Sequence, residues 1–221
     1  MTYEQFDKNY DVFHAFLVKN AEYSGKIELP CIKTSSLIPE KLVSFSEAIS
    51  SSWKDYNCWV MFYEHDTKFE RLWNNPKRYL EKLKKFNGVI SPDFSLYKNM
   101  PLVMQMWNTY RNRALAHWLQ ENGIEVIPNV RFNDERTYDF CFDGIQIGKT
   151  VAVGTYGCIR HKDDREYLIS GLAEMVKRLS PKTIIVYGAS PDKIFKPYED
   201  LGIKIIRFER VFFNSEKRGV A

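Results

Sequence analysis

Short apolar runs alternate with longer amphipathic segments along most of this chain. The apolar runs have the length and composition of strands, and they predict eight, at residues 27–33, 58–63, 88–91, 124–128, 138–142, 150–154, 183–187 and 203–208. The run CWVMFY at 58–63 is apolar at every position. Continuous runs of this kind are typical of strands covered on both faces, as in parallel sheets. At 138–142 the strand is predicted from an alternation of aromatic residues with Asp139 and Cys141.

Between the apolar runs, hydrophobic residues recur every three or four positions, as on one face of a helix. This spacing predicts helices at 45–49, 67–86, 101–120, 163–179 and 190–202. Asn75 and Pro76 divide the second of these, with Asn75 as the N-cap of its second half. Ser190, followed by Pro191, is the predicted N-cap of the last helix.

This order of elements predicts an α/β fold. Strands that alternate with long helices are joined by right-handed parallel crossovers. Because eight strands close a barrel of this kind, we predict a compact, irregular (β/α)8-type parallel barrel. The chain has 221 residues, somewhat fewer than the roughly 250 typical of such barrels. An open doubly wound parallel sheet is the alternative.

The length suits a single α/β domain, which we assign to residues 26–210. Residues 1–25 form an N-terminal docking extension, in which four aromatic residues at helical spacing would pack on the body: Phe6, Tyr10, Phe13 and Phe16. Residues 211–221 are polar and form a frayed tail.

Composition excludes several functional classes. The net charge of +4 is too small to indicate nucleic-acid binding by itself. No N-terminal signal pattern and no membrane-spanning apolar run is present, so we expect a cytoplasmic protein without membrane contact. The four cysteines and four histidines lack zinc-ligand spacing. A GxGxxG fingerprint is missing too, and we therefore expect no nucleotide cofactor.

Candidate functional residues follow the carboxyl ends of the predicted strands, where parallel α/β folds bind their ligands. The candidate catalytic residues are acidic: Asp93, Asp139, Glu135 and Asp66. Carboxylates from separate strands can bind a divalent cation, Mg²⁺ or Mn²⁺, and we assign this role to Asp93 and Asp139. The candidate substrate-binding residues are Arg131, Arg113, Tyr156, Gly188 and Ser190.

Each candidate also has a purely structural interpretation. Asp93 follows a proline, where an aspartate commonly stabilises a turn. A carboxylate of Asp139 inside a barrel would need a partner such as Arg131 or Arg113. Gly188 and Ser190 precede a predicted helix N-terminus, which suits phosphate but is common to most strand-to-helix loops.

Two segments carry a resemblance to known proteins, residues 69–132 and the motif TYDFCFDGI at 137–145. Together they resemble an uncharacterised domain-of-unknown-function family of bacteria, archaea, phages and integrative elements. The likeness extends from about residue 60 to residue 188. It implies a cytoplasmic host or mobile-element setting, in which nucleic-acid handling and interference with the host are both plausible. It implies no catalytic residues.

Two functions remain open at this point. The first is a hydrolase that acts on a phosphodiester or another phosphorylated substrate through the acidic residues at the strand ends. Glycosidic cleavage by two carboxylates, without a metal, is a variant of it. The second is a non-catalytic adaptor that binds nucleic acid or a host protein.

Overall fold

The computed structural model of the protein describes residues 11–159 and 161–209. Its strands, numbered in chain order, are β1 Tyr23–Ser24, β2 Leu29–Pro30, β3 Leu42–Ser44, β4 Trp59–Met61, β5 Gly88–Ile90, β6 Val126–Ile127, β7 Thr150–Gly154, β8 Thr183–Tyr187 and β9 Lys204–Phe208. Its helices are α1 Phe45–Ala48, α2 Asp66–Asn74, α3 Lys77–Leu83, α4 Leu102–Glu121, α5 Lys162–Leu179 and α6 Asp192–Asp200. None of these helices combines the length and the apolar character needed to cross a membrane.

The strands from β3 to β9 lie side by side in chain order. β3 to β6 form one parallel sheet of four strands, and β7 to β9 form a second parallel sheet of three. A parallel bridge between Asn129 and Ala152 joins the two sheets. On either side of it, Val130 N–H donates to Ala152 and Ala152 N–H donates to Pro128, both at 2.8 Å. The two sheets are therefore one continuous parallel surface.

The helices cover one face of this surface. In the first half, Val60 and Val89 pack in a core cluster with Phe69 and Leu115 of the helices. The second half has an equivalent cluster between strands β7 and β8 and helices α5 and α6. On the other face, the buried residues belong to strands or to positions directly after them: Trp59, Met61, Tyr63, Ile90, Ile127, Ala152, Ile185 and Tyr187. Strand side chains thus pack against one another on this face.

Such packing requires a strongly curved sheet. Tyr63 follows β4 and Tyr187 ends β8, four strand spacings away, which is about 19 Å in a flat sheet. Their rings are stacked, with centroids 5.0 Å apart and an interplanar angle of 11°. Gly154 on β7 leaves room for this stack, because a Cβ atom there would lie 2.5 Å from Cδ1 of Tyr63. The sheet therefore curls around its own inner face, and Gly154 permits the curl.

The α/β class predicted from the sequence is confirmed. No closed barrel is found, because within residues 11–159 and 161–209 the edge strands β3 and β9 do not pair. The strand order also lacks the reversal that defines a doubly wound sheet. Strand β3 was not predicted. The long strand predicted at 27–33 is reduced to β2, which pairs with β1 in a short antiparallel hairpin.

The strand predicted at 138–142 is wrong. These residues form consecutive turns after a 3-10 segment, Glu135–Thr137. The main-chain N–H groups of Phe140 and Cys141 both donate to Thr137, at 3.2 and 2.9 Å, so their hydrogen bonds are local. Phe140 and Cys141 are nevertheless buried in the second core cluster. Burial does not alternate here, because Phe140, Cys141 and Phe142 are all buried. Aromatic residues at every second position of a buried turn therefore gave the sequence pattern of a strand.

Two predicted helix caps also differ. Helix α3 begins at Lys77 with Pro76 at its N-cap, and Asn75 is the C-cap of α2. Helix α6 begins at Asp192 with Pro191 at its N-cap, so Ser190 precedes the cap. The short helix predicted at 45–49 is present as α1.

The N-terminal extension can be described only in part. Phe6 and Tyr10 lie outside the described residues, as does the tail at 211–221. Residues Ala15–Val18 form a 3-10 turn that buries Leu17 in the first core cluster. Phe16 packs edge-on against Trp118 of α4, whereas Phe13 is 52% exposed. The segment that follows Asp11 therefore contacts the body through Phe16, Leu17 and Val18, and through His14, whose ring lies 4.7 Å from that of Trp73.

Candidate functional site

A cavity of about 530 Å³ opens at the carboxyl end of the curved sheet. Its walls come from the segments that follow β4, β5, β6 and β7, and from the first turns of α5. Parallel strands deliver their loops to one edge, and for this reason residues far apart in sequence meet there. The location agrees with the end of the sheet that the sequence indicated.

Asp93 lines this cavity, and the side-chain amide of Asn129 holds its carboxylate. Its Oδ1 accepts a hydrogen bond of 2.8 Å from Nδ2 of Asn129. The side-chain oxygen of Asn129 in turn accepts a bond of 3.0 Å from the hydroxyl of Tyr63. Asn129 is fully buried, with 0% relative exposure. Tyr63 and Asn129 therefore fix the orientation of the Asp93 carboxylate.

Arg131 lies beside Asp93. Its Nη1 is 3.5 Å from Oδ2 of Asp93, and the two side chains are 23% and 12% exposed. Arg131 Nε is buried and has no hydrogen-bond partner among the described residues. A buried donor that lacks an acceptor costs free energy. Arg131 therefore holds donor capacity that Asp93 does not use.

A buried polar network supports this pair. The main-chain N–H of Asn129 donates to Oγ of Ser91 at 2.8 Å. Ser91 Oγ also accepts a bond of 3.0 Å from Nδ2 of Asn112 on α4. The Asn112 side-chain oxygen accepts a bond of 2.6 Å from Arg113. Hydrogen bonds therefore connect Asn129, the partner of Asp93, to the buried face of α4.

The electrostatics of the pair favour a charged arginine and a perturbed acid. Burial raises the pKa of Asp93, and Arg131 and Asn129 offset part of this rise. The carboxylate of Asp93 raises the pKa of Arg131, so the guanidinium remains charged. A carboxyl group whose pKa is raised toward neutrality is suited to proton transfer.

Aromatic side chains form much of the cavity wall. Tyr97 and Tyr156 are 57% and 51% exposed, and Phe132 and Tyr167 are half-buried. Cys158 also lines the cavity, where burial raises the pKa of its thiol and the nearby Arg131 opposes the rise.

The other predicted acidic residues do not line the cavity. Both oxygens of Asp66 accept hydrogen bonds from Ser95, from its N–H at 3.1 Å and from its hydroxyl at 2.7 Å. Glu135 and Asp139 are exposed in the segment that follows Asn133. Asp139 therefore does not point into a lumen as the sequence suggested, because its predicted strand is a turn.

The predicted metal pair is not brought together in the cavity, since Asp93 lines it and Asp139 does not. Across the described ranges, 11–159 and 161–209, no three His, Cys, Asp or Glu side chains are grouped so that they could hold a metal ion.

Among the predicted substrate-binding residues, Arg131 and Tyr156 line the cavity. Arg113 does not; it is 1% exposed and donates to the main-chain carbonyls of Cys141 and Asp143, at 2.7 and 3.1 Å. Burial lowers the pKa of Arg113 to about 10. Arg113 is therefore a structural arginine in this fold.

Gly188 and Ser190 also lie outside the cavity lining. Gly188 has a positive φ of 105°, and a Cβ atom there would lie 2.8 Å from Oγ1 of Thr155. Thr155 donates to the main-chain oxygen of Ala189 at 2.7 Å. The loop that follows β8 is therefore held by contacts with Thr155.

Sequence reasoning missed Asn129, Tyr63, Tyr97, Lys98 and Cys158 as site residues. Asn129 directly follows a predicted strand, and its position at the carboxyl end was the signal that could have identified it. Tyr63 was assigned to a strand core, and only the curl of the sheet gives its hydroxyl a partner in the site.

Comparisons with known proteins agree with the resemblance. Residues 21–209 match the model of a family described as Domain of unknown function (DUF4417). The Gene 1 protein of Mycobacterium phage L5 is 36% identical over 168 residues, which cover 76% of this chain and 73% of that protein. The Gene 1 protein of Mycobacterium phage D29 is 32% identical over 166 residues, which cover 75% of this chain but only 62% of that protein. No solved structure matches the chain.

Proposed function

We propose that this chain, which belongs to the DUF4417 family and has relatives in mycobacteriophages, is a hydrolase of phosphorylated substrates. The substrate is a phosphodiester or a phosphate monoester that enters the cavity at the carboxyl ends of β4 to β7. One observation carries the proposal: Arg131, in an open cavity, keeps a buried Nε donor without an acceptor while its Nη1 is paired with Asp93.

A phosphate oxygen would supply the acceptor that Arg131 Nε lacks. Guanidinium groups bind phosphate through two parallel hydrogen bonds, which adds geometric specificity to charge attraction. Such binding would move Arg131 toward the substrate and weaken its long, 3.5 Å contact with Asp93. The charge that develops on phosphorus oxygens during hydrolysis would then face a cation in a partly dehydrated site.

Asp93 is the general base in this proposal. Its carboxylate removes a proton from a water molecule as the water oxygen attacks phosphorus, and the bond from phosphorus to the leaving oxygen breaks. Asp93 then gives its proton to solvent, and the leaving oxygen is released as the anion or takes up a proton from solvent. Asn129 keeps Asp93 in position during this step by donating to one carboxylate oxygen at 2.8 Å, and the hydroxyl of Tyr63 holds Asn129 in turn at 3.0 Å.

A divalent cation, Mg²⁺ or Mn²⁺, is a further part of the proposal. In a metal-dependent form of the reaction Asp93 would be the ligand of the cation instead of the general base, because Asn129 already bonds one of its two oxygens. Oxygens of the substrate phosphate and of water would be the other ligands. Mg²⁺ is commonly held in this way, by one or two carboxylates together with substrate phosphates. Asp139 is not included, since it is exposed and outside the cavity.

We further propose that the curved sheet is an open-sided form of the (β/α)8-type barrel. The chain order of β3 to β9 and the stack of Tyr63 on Tyr187 support this relationship. In such barrels the site lies at the carboxyl ends of the strands. A cytoplasmic location, as expected from the sequence, is part of the same proposal.

Hydrolysis can be tested with two chromogenic probes, bis(4-nitrophenyl) phosphate and 4-nitrophenyl phosphate, assayed with Mn²⁺, with Mg²⁺ and with a chelator. We expect release of nitrophenolate from at least one probe. The rate should fall at least about 100-fold in Asp93→Asn and in Arg131→Met. Arg178→Met is the matched control. Arg178 forms an ion pair with Glu174 on α5 and lies outside the cavity wall, about 21 Å along the helix from Asp164, which lines the cavity. Equal rates in all four proteins would contradict the proposal.

A non-catalytic adaptor for a host protein or nucleic acid is the second candidate. The observation that favours it is an apolar surface at the start of α4, where Val103, Met104 and Trp107 are 70%, 50% and 45% exposed. Its apolar character suits a protein partner better than nucleic acid, which requires positive charge. The adaptor would be favoured if the wild type captured one host protein in a pull-down and Trp107→Ser did not. Neither protein should then hydrolyse the nitrophenyl esters.

A further inference from the structure

The cavity offers more than an anion site, because aromatic rings surround the charged pair. Tyr97 and Tyr156 are half-exposed side chains of its wall, and they come from the loops after β5 and β7. Tyr167 on α5 and Phe132 add two further rings. A tyrosine presents a large planar face at little cost in conformational entropy, so a wall of them suits a flat ligand.

The charges in the wall limit how many phosphates a ligand can carry. Asp93 is paired with Arg131. Glu64 is paired with Lys68, whose Nζ lies 3.8 Å from Oε2 of Glu64. The remaining charged groups of the wall, Lys98 and Asp164, have opposite signs. The lining is therefore close to neutral, which suits a ligand with one phosphate and a large uncharged portion.

An amide group is available near the aromatic wall. Asn99 and Asn133 both line the cavity. Asn133 is 8% exposed and its Nδ2 already donates to Oε1 of Gln105 at 3.3 Å, whereas Asn99 is exposed. Side-chain amides of this kind pair with the donor and acceptor edge of a nucleobase, which a sugar phosphate does not have.

We propose that the phosphorylated ligand of this site is a nucleotide, whose base stacks on Tyr97 or Tyr156 while its single phosphate binds Arg131. The proposal rests on the function proposed above, because both need Arg131 to hold a phosphate. A free nucleoside monophosphate and the terminal nucleotide of a strand share this chemistry. The cavity of about 530 Å³ falls within the size range of pockets that enclose small molecules.

Calorimetric titration separates the base from the phosphate. The probes are adenosine 5′-monophosphate, uridine 5′-monophosphate, the dinucleotide pApA, ribose 5-phosphate and adenosine. We expect both monophosphates to bind at least about fivefold more tightly than ribose 5-phosphate, since base stacking on an aromatic residue contributes this much or more. A preference for pApA over the free monophosphates would identify a strand end as the source of the ligand, and equal or weaker binding of pApA would identify the free nucleotide.

Variants locate the stacking. Tyr97→Ala or Tyr156→Ala should weaken nucleotide binding at least about fivefold and leave ribose 5-phosphate binding unchanged, and the corresponding Tyr→Phe variants should bind as the wild type does. Tyr23→Ala is the matched control, because Tyr23 is 50% exposed and lies outside the cavity wall. Alkylation by N-ethylmaleimide, followed by mass spectrometry, gives an independent readout. Adenosine monophosphate should slow the reaction of Cys158 in the cavity and leave half-buried Cys31 unaffected.

The outcomes distinguish this inference from the function on which it rests. If ribose 5-phosphate binds as tightly as the nucleotides and requires Arg131, the nucleotide assignment is overturned and the phosphate site survives. If no phosphorylated probe binds, both are overturned. If neither tyrosine-to-alanine change reduces nucleotide binding, the assignment is likewise wrong.

Discussion

Arg113 and Arg131, at opposite ends of one polar network, have opposite environments. Arg113 donates to main-chain carbonyls and to a buried amide, and it has 1% exposure. Arg131 borders an open cavity, faces a carboxylate and keeps an unsatisfied Nε. Burial lowers the pKa of Arg113 to about 10, whereas Asp93 raises the pKa of Arg131.

The difference separates an arginine that organises the fold from one that is available to a ligand. Each of the three guanidinium nitrogens of Arg113 donates to a fixed acceptor in the interior. Arg131 instead has a single carboxylate at 3.5 Å from Nη1, and its Nε has no acceptor among the described residues. Both arginines belong to one polar network through Asn112, Ser91 and Asn129, and the comparison can therefore be tested by changing one end at a time.

The largest effect on stability is expected from Arg113→Met. The change leaves the carbonyls of Cys141 and Asp143 and the oxygen of Asn112 without their donor in the interior. We expect a loss of about 3 kcal/mol or more, since each unsatisfied buried group costs roughly 1–3 kcal/mol. Urea unfolding measures this loss. Arg113 also opposes the rise that burial causes in the pKa of Asp143, so part of the loss should disappear as pH falls and Asp143 becomes protonated. A loss below about 1 kcal/mol at pH 7 would contradict the structural role.

Gly154→Ala should disturb the contacts that position Asp93 beside Arg131 and leave the hydrogen bonds of Arg113 unchanged. The new methyl group would lie 2.5 Å from Cδ1 of Tyr63, whose ring must then move. Overpacking of this kind costs about 1–3 kcal/mol. The displaced ring should also weaken the hold of Asn129 on Asp93. Thermal unfolding and phosphate-ester binding measure the two effects, and wild-type values for both would show that the stack of Tyr63 on Tyr187 is not needed.

Arg131→Met should give a smaller and pH-dependent loss. The folded-state pKa of Asp93 is already raised by burial, and removal of Arg131 raises it further. A carboxyl group of this kind stabilises the fold fully below its unfolded pKa of about 3.9, and this contribution is lost as pH rises through the folded-state value.

We therefore expect Arg131→Met to be about 1–2 kcal/mol less stable than the wild type at pH 7, less than for a fully buried ion pair because the cavity admits solvent. The difference should shrink as pH falls toward 4. The control is the double variant Asp93→Asn, Arg131→Met compared with Asp93→Asn alone, a difference that should not depend on pH. Urea unfolding at a series of pH values measures both, and a difference that grows at low pH would refute the assignment.

The smallest effect is expected from Tyr63→Phe, which removes one hydrogen bond to Asn129 and keeps the ring stack. The expected loss is about 1 kcal/mol. Differential scanning calorimetry measures it, with Tyr138→Phe as a control because Tyr138 bonds to Ser170 at the surface. A loss as large as that for Arg113→Met would mean that Tyr63 belongs to the core rather than to the site.

Much of the fold could be predicted from the sequence, because periodicity records burial directly. The predicted helix at 101–120 agrees with α4, and the predicted strand at 183–187 agrees with β8. The carboxyl-end rule also placed Asp93 and Arg131 in one site. Where the pattern failed, at 138–142, buried turn residues produced the same alternation as a strand.

The rest of the site could not be predicted for physical reasons. The sequence around Arg113 predicts a helix, but it does not show whether the side chain binds main-chain carbonyls or a ligand. The partner of Arg113 is determined by the path of the loop that contains Cys141 and Asp143. Asn129 has no charge to attract attention, and its importance comes from two hydrogen bonds made across the sheet. The curvature that brings Tyr63 to Asn129 depends on Gly154 and on distant strands.

Arginine side-chain NMR can show whether Arg131 Nε takes a phosphate oxygen. The Nε–H resonances of Arg131 and Arg113 would be followed while adenosine 5′-monophosphate or 4-nitrophenyl phosphate is added. We expect a large, saturable shift and slower hydrogen exchange for Arg131, with no change for Arg113. A water molecule in the small void of about 10 Å³ beside Arg131 would instead satisfy Nε permanently. An Arg131 resonance that does not move at saturating ligand would contradict the proposal.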